Sequence, residues 1–278
     1  MSTNGATTAP QTGGTSFFQL LLERRTRDAL YHASSYWDAR AQARGGLARS
    51  MWPSNVFNAF WDARQREVLL RALGDLRGRR VLDVGCGTGR MTRFFADAGA
   101  AEAVGVDFSA ATVEAARRET EALGGPAARV RFAVGDVLAG LTSVGRGEFD
   151  DALALGCLSV ACRDGDALQR ALGAMAATVK PGGRVVLLEP IHRSPLLRRV
   201  LDLSTLDWVA RANAQGLALI GADCMGFAPA RLVLSVRDLP RPLVGAAFHA
   251  GEALLDAAPY MAPLADYKLL VFRVSSPR

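Results

Sequence analysis

Hydrophobic and polar positions alternate between two periods along most of this chain. Short apolar runs of strand length are followed repeatedly by stretches in which apolar residues recur every three or four positions, the spacing of a helix face. The first run, Arg80-Val81-Leu82-Asp83-Val84, enters Gly85-Cys86-Gly87-Thr88-Gly89, and Met91, Phe94, Phe95 and Ala98 then fall on one face. This predicts a strand, a tight turn and a helix. Ala103 to Val106 reads as a second strand ending in Asp107, with Ser109 as the N-cap of a helix to about Leu123. Val130–Val134 and Phe149–Gly156 read as the third and fourth strands, a helix from about Asp166 carries Leu168, Leu172 and Met175, and Arg184–Glu189 is the fifth strand. Strands alternating with helices imply a doubly wound parallel α/β sheet.

The pattern changes on either side of this repeat. Residues 1–16 are uncharged and rich in Thr, Gly, Ala and Ser, and read as a disordered tail. Two helical stretches follow, Phe17 to about Arg44 and about Asn58 to Leu76, separated by Gly45-Gly46 and Met51-Trp52-Pro53. Beyond the fifth strand, Ser204–Gln215 reads as a helix, Leu217–Cys224 as a sixth strand and Lys268–Val274 as the last. About forty residues separate those two strands, with a helical stretch from roughly Pro242 to Ala257, and a connection of that length is rarely idle. The expected organisation is a tail (1–16), an N-terminal helical cap (17–76) and one α/β domain (77–278) containing an insertion (226–266). A dimer interface, a substrate cover and a membrane-surface contact are the uses expected of that insertion, in that order.

Composition narrows the function classes. Of 33 basic residues only Lys180 and Lys268 are lysines, so 31 are arginines, and 12 of these precede residue 81 against 6 acids. From residue 81 onward, 21 basic and 21 acidic residues balance, so the net charge of +6 lies wholly in the N-terminal region. A solvated helical face explains this better than an anionic-substrate or nucleic-acid patch. The four cysteines (Cys86, Cys157, Cys162, Cys224) lack metal-ligand spacing, so no metal site and no disulfide framework is expected. With no membrane-length apolar run and no targeting pattern, the expected location is cytoplasmic.

The candidate chemistry gathers at the strand ends. A dinucleotide fingerprint counted from Gly85 requires a glycine or alanine at position 90, where the chain has Arg90. Its form is G-x-G-x-G preceded by Asp83, which resembles motif I of the class I S-adenosylmethionine-dependent methyltransferases. Asp107 resembles the second motif of that family, Gly135-Asp136-Val137 the third and Phe149–Gly156 the fourth. Val179-Lys180-Pro181-Gly182-Gly183-Arg184-Val185 matches the turn common before its fifth strand. The resemblance covers about 80–275 and implies a seven-stranded Rossmann-like methyltransferase sheet whose last strand is antiparallel.

It also implies S-adenosylmethionine as cofactor. Asp83, Gly85, Cys86, Gly87 and Gly89 would cup its methionine end, Asp107 and Phe108 its ribose, and Gly135, Asp136 and Val137 its adenine. Leu155 and Gly156 would lie beside the sulfonium. In many relatives an N-terminal helix folds over the cleft, which makes Tyr36 and Arg40 candidate cofactor contacts. Trp37, Trp52 and Cys157 are candidate substrate contacts. Glu189 and His192, just past the fifth strand, are candidates for a catalytic base. No Pro-Pro-aromatic tetrapeptide follows the fourth strand and no Pro-Cys pair occurs in the chain. The expected acceptor is therefore a small apolar or aromatic molecule, a secondary metabolite or quinone-like lipid, and a homodimer is allowed for. An RNA methyltransferase, a nicotinamide oxidoreductase and a non-catalytic cofactor-binding module are the alternatives.

Overall fold

The computed structural model describes residues 31, 33–43, 51–124, 127–194 and 197–275. The expected tail at 1–16 and most of the helix expected from Phe17 lie outside these residues. Within the described part, the helices are α1 (Ser34–Ala43), α2 (Asn55–Leu73), α3 (Arg90–Asp97), α4 (Ala110–Ala122), α5 (Leu158–Ala161), α6 (Gly165–Thr178), α7 (Thr205–Asn213), α8 (Ala228–Leu234) and α9 (Arg241–Ala257). The strands are β1 (Arg80–Val84), β2 (Glu102–Asp107), β3 (Val130–Val134), β4 (Phe149–Leu155), β5 (Val179–Glu189), β6 (Leu217–Phe227) and β7 (Ala265–Val274).

The seven strands form one sheet in the order β3-β2-β1-β4-β5-β7-β6, with β7 antiparallel to both neighbours and the other pairings parallel. Chain direction reverses its sideways progress between β1 and β4. That switch leaves a crevice at their carboxyl ends, the place where such sheets bind ligands.

Successive residues of a strand face opposite sides, so each central strand feeds two cores. Leu82 and Val84 of β1 pack with Ala152, Val185 and Leu187 beneath Leu168, Leu172 and Met175 of α6 and Trp208 of α7. Val81, from the same strand, packs with Leu153, Val186 and Val271 beneath Phe57, Trp61, Val68 and Leu69 of α2 and Phe95 of α3. Helix α2 thus shares its core with the sheet.

Its start lies three residues before the expected Asn58. Ser54 caps it, the hydroxyl accepting from the Phe57 N–H at 3.0 Å and donating to Asp238 at 2.8 Å. At its other end, Arg184 donates to the carbonyls of Ala72 and Leu73 at 3.2 and 2.8 Å.

The apolar face of the insertion is covered from within the chain. Val244, Phe248 and Leu255 of α9 are buried in the α2 core, and the Phe248 ring lies 5.9 Å from Phe57 and 6.5 Å from Trp61. Arg64 of α2, itself buried, pairs with Glu252 at 2.8 Å and Asp256 at 3.0 Å. Helix α9 thus supports α2 through this face, while Val233, Leu243, Leu254 and Tyr260 of the insertion remain exposed. No helix among the described residues is long and apolar enough to cross a membrane.

The N-terminal arginines that are described also find acids. Arg66 pairs with Asp62, Arg71 with Glu67, Arg77 with Asp75, Arg79 with Asp151 and Arg80 with Glu102 and Glu148. Together with Arg64, these arginines draw on partners as far as 192 residues away in sequence.

Candidate functional site

The site begins with three glycines in left-handed conformation. Gly85, Gly87 and Gly89 have φ of 71°, 55° and 77°, which carries β1 sharply into α3. Their surroundings differ. A Cβ at Gly85 would lie 2.3 Å from Cys157 Sγ, and one at Gly89 would lie 2.4 Å from the Phe132 ring. A Cβ at Gly87 would meet no atom within 4 Å. Two of the glycines are therefore required by packing inside the protein, and the third borders open space.

That space is a cavity of about 250 Å³ at the switch point. Its wall includes Asp83, Gly85, Cys86, Gly87, Asp107, Phe108, Gly135, Asp136, Val137, Leu155, Gly156 and Cys157, all expected from the sequence, together with Trp37. A larger depression of about 530 Å³ lies beside the amino ends of β3 and β4 and contains none of these residues. Ligand chemistry belongs at the smaller one, where glycine backbone, carboxylates and aromatic rings converge.

Asp107 ends β2 with its carboxylate nearly buried. One oxygen accepts from the Gly87 N–H and the other from the Ser109 N–H, each at 3.0 Å. Each oxygen retains a lone pair, and burial raises the carboxyl above its ordinary value. Asp83 accepts from the Thr92 hydroxyl at 2.7 Å, and burial pushes its carboxyl up to about 6. Asp136 is exposed and caps the short turn 137–139 by accepting from the Leu138 N–H at 2.8 Å, which leaves its second oxygen toward solvent. Phe108 is 39% exposed, an apolar ring at the mouth with Val137 and Leu138 nearby on the wall.

Other wall residues escaped sequence reading: Tyr31, Thr88, Arg90, Met91, Thr112 and Val160 among them. Arg90 had a signal, since it stands where a dinucleotide fingerprint needs its third glycine. Its guanidinium pairs with Asp62 and donates to Gln65 at 2.8 Å, which ties α2 to the glycine turn.

The N-terminal aromatics divide. Tyr31, Tyr36 and Trp37 pack ring on ring at 5.2–5.6 Å, and the Trp37 indole donates to the Tyr31 carbonyl. Tyr31 and Trp37 close over the cavity, whereas Tyr36 buttresses them from outside the wall. Asp38 accepts from the Ser109 hydroxyl, which docks α1 on the start of α4. Arg40 lies on α1, and its side chain falls outside the described residues. Trp52 is not on the cavity wall; it packs edge-on against Trp61 at 6.2 Å.

Glu189 and His192 do not line the cavity either. Glu189 is fully buried and accepts from the Cys157, Leu158 and Ser159 N–H groups at 2.9, 2.9 and 3.2 Å, holding the chain where it leaves β4. His192 is buried with Nε2 at 2.8 Å from the Asp266 carbonyl. Both stand at the carboxyl end of β5 as their sequence position implied, but their polar atoms are engaged inside the protein. No cluster of three or more metal-ligating side chains occurs among the described residues.

Comparison with known proteins agrees with this geometry. Residues 81–183 match the family described as "Methyltransferase domain". The chain is 32% identical over 161 residues to the O-methyltransferase cnsE of Penicillium expansum, covering 56% of this chain and 55% of that protein. It is 30% identical over 132 residues to the demethylmenaquinone methyltransferase of Renibacterium salmoninarum, covering 46% and 48%. This chain thus spans about half the length of these curated relatives. The fold matches the crystal structure of magnesium protoporphyrin IX methyltransferase from Synechocystis PCC 6803 with bound SAH, with a TM-score of 0.58, 15% identity and coverage of 91% of this chain and 100% of that one. Strand order and the structural match define one class, the Rossmann-like α/β proteins with an antiparallel seventh strand. Within it, residues 81–183 match a methyltransferase domain, and the chain is similar in motifs and strand order to the class I S-adenosylmethionine-dependent methyltransferases.

Proposed function

We propose that the protein transfers a methyl group from S-adenosylmethionine to an oxygen, nitrogen or carbon nucleophile of a small apolar or aromatic molecule. The observation that carries this reading is the composition of the switch-point cavity. Its glycine turn, Asp107 and exposed Phe108 suit a nucleoside, while Tyr31, Trp37, Leu155 and Val160 offer an aromatic and apolar wall to a second molecule.

The residues fit the cofactor. Gly87 leaves room for close approach to the main chain, and the two remaining lone pairs of Asp107 match a vicinal diol. Asp136 and the Val137 N–H would accept from and donate to the adenine edge, and Asp83 would stiffen the turn beneath the methionine end. When bound, the cofactor supplies a sulfonium methyl that is already strongly electrophilic. The chain's own task is then to align the acceptor and exclude water. Tyr31 and Trp37 over the cavity would serve both, and Glu189 and His192, whose polar atoms are engaged inside the protein, do not line the cavity, so the proton of a hydroxyl or ammonium acceptor would pass to solvent. The relatives' names, an O-methyltransferase and a quinone methyltransferase, support a small acceptor. Among the described residues, the arginines of 64–80 are paired with acids, which favours a small acceptor over RNA.

The test is incubation of the purified protein with methyl-labelled S-adenosylmethionine and a panel of catechols, hydroquinones and aromatic amines. Appearance of S-adenosylhomocysteine and a labelled acceptor supports the reading. Tight binding of NAD in place of S-adenosylhomocysteine would overturn it.

A further inference from the structure

Beyond Gly156 the fold gathers charge that the cofactor reading does not use. Arg231 of α8 and Asp266 at the start of β7 are both buried, 5% and 0% exposed, and pair at 2.8 Å. Yet Arg231 Nε and Asp266 Oδ2 have no partner. His192 stands 3.6 Å from the same carboxylate, which its basic neighbours hold well below the usual range. Trp52 lies against this pair, its ring centre 4.8 Å from the Arg231 guanidinium and 4.5 Å from that of Arg199.

Arg199 is the unmatched charge. Asp266 bears on it electrostatically but makes its ion pair with Arg231, so two guanidinium groups share one carboxylate, while Glu189 is held by three main-chain N–H groups. Its polar neighbour is the Tyr267 hydroxyl, and it feels Tyr31 as well. Both tie it to the cavity. Tyr31 is on the wall, and the Tyr267 hydroxyl would lie 2.9 Å from a Cβ at Gly156, also on the wall. Two guanidinium groups sharing one carboxylate, the outer one flanked by an aromatic ring and a phenol, leave one positive charge poorly solvated and without an ion pair of its own. Such a group stabilises an anion that replaces its lost water.

Building on the methyl-transfer reading, we propose that Arg199 and Arg231, set against Trp52, form an anion subsite beyond Gly156, and that the methyl acceptor carries a carboxylate or phosphate which this subsite holds. The acceptor is then amphiphilic. Its apolar body lies along Tyr31, Trp37 and Val160, and its anionic group reaches Arg199 while the nucleophilic atom faces the cofactor. Trp52 gives the guanidinium groups an apolar backing that fixes their direction. The subsite also supplies a specificity that an apolar cavity lacks, because neutral analogues leave the Arg199 charge unmet.

The test uses the full chain saturated with S-adenosylhomocysteine and titrated calorimetrically with benzoate and phenyl phosphate, with benzamide and benzyl alcohol as neutral counterparts. The parent should bind at least one anion about tenfold or more tightly than its neutral counterpart, as a charge-assisted contact requires. Arg199→Met, which keeps the stem over Trp52, should lose that preference and leave the neutral ligands unchanged, whereas Arg199→Lys should retain part of it. The tighter of the two anions identifies the group the acceptor carries. Equal binding of anionic and neutral ligands by the parent, or an undiminished preference in Arg199→Met, would overturn the subsite. S-adenosylhomocysteine binding, measured in the first step, keeps the two readings apart: its absence in the parent refutes the cofactor site, and its presence with no anion preference refutes only the subsite.

Discussion

The three glycines of the turn share a backbone conformation but not an environment, and that difference can be measured. An alanine at any of them carries left-handed strain of about 1–2 kcal/mol, offset by roughly 0.4–1 kcal/mol from a less flexible unfolded chain. At Gly87 the cost should end there, because the new methyl meets no atom within 4 Å. At Gly85 and Gly89 the methyl lands 2.3 Å from Cys157 Sγ and 2.4 Å from the Phe132 ring, so overpacking adds about 1–3 kcal/mol. Urea unfolding should therefore rank Gly87→Ala nearest the parent and the other two well below it. Calorimetric titration with S-adenosylhomocysteine should reverse the ranking. Gly87→Ala places its methyl in the cavity and should displace one or two hydrogen bonds, about 1.5–3 kcal/mol, or roughly tenfold to a hundredfold in affinity. Parent-like affinity in a folded Gly87→Ala protein would show that the ligand does not approach the turn, and the site would have to be sought elsewhere.

Asp107→Ala should weaken S-adenosylhomocysteine about thirtyfold to a thousandfold; it also orphans the Gly87 and Ser109 N–H groups, so calorimetry must be paired with a melting curve, and unchanged affinity removes Asp107 from the site. Asp83 titrates at about 6 in the fold against 3.8 in the unfolded chain, so its contribution is greatest below about pH 4 and is lost as pH rises through 6, up to about 3 kcal/mol. Asp83→Asn should flatten that decline, and identical stability slopes for parent and variant between about pH 4.5 and about pH 7.5 would contradict the assignment. Phe248→Ala should destabilise by about 3–5 kcal/mol in urea, since it empties the contact between α9 and α2; a loss below about 1 kcal/mol would detach the insertion from the core.

What the sequence made legible was local. Strand length, helix period and the need for glycine between β1 and α3 are set by neighbours in the chain, so the turn, Asp107 and Gly135-Asp136-Val137 were found and lie on one wall. What it hid depends on direction and on distant partners. Glu189 stands at the expected strand end, but its carboxylate turns back along the sheet to three N–H groups of 157–159, a choice that no spacing encodes. Trp52 and Trp61 looked alike as aromatics ahead of the sheet. One is a core residue at 1% exposure, while the other lies against two guanidinium groups that come from residues 199 and 231.

The insertion and the N-terminal helices are better understood as a single support than as two additions. Helix α2 carries Arg64, Trp61 and Asp62. Arg64 reaches Glu252 in the insertion, Trp61 fills the space left by Gly226, where a Cβ would lie 2.2 Å from its ring, and Asp62 pairs with Arg90 on the cavity wall. A rigid path therefore runs from α9 through α2 to the glycine turn, while α1, docked on α4 through Asp38, covers the cavity from the other side. The two N-terminal helices have different duties although they are close in sequence. Removing residues 1–50 takes away α1 and should leave the sheet folded with a weaker hold on S-adenosylhomocysteine. Cutting at residue 60 also removes Ser54 and Phe57, and should unfold the face of the sheet that α2 covers. If the shorter truncation lost as much stability as the longer one in urea, α1 would belong to the core rather than to the cover.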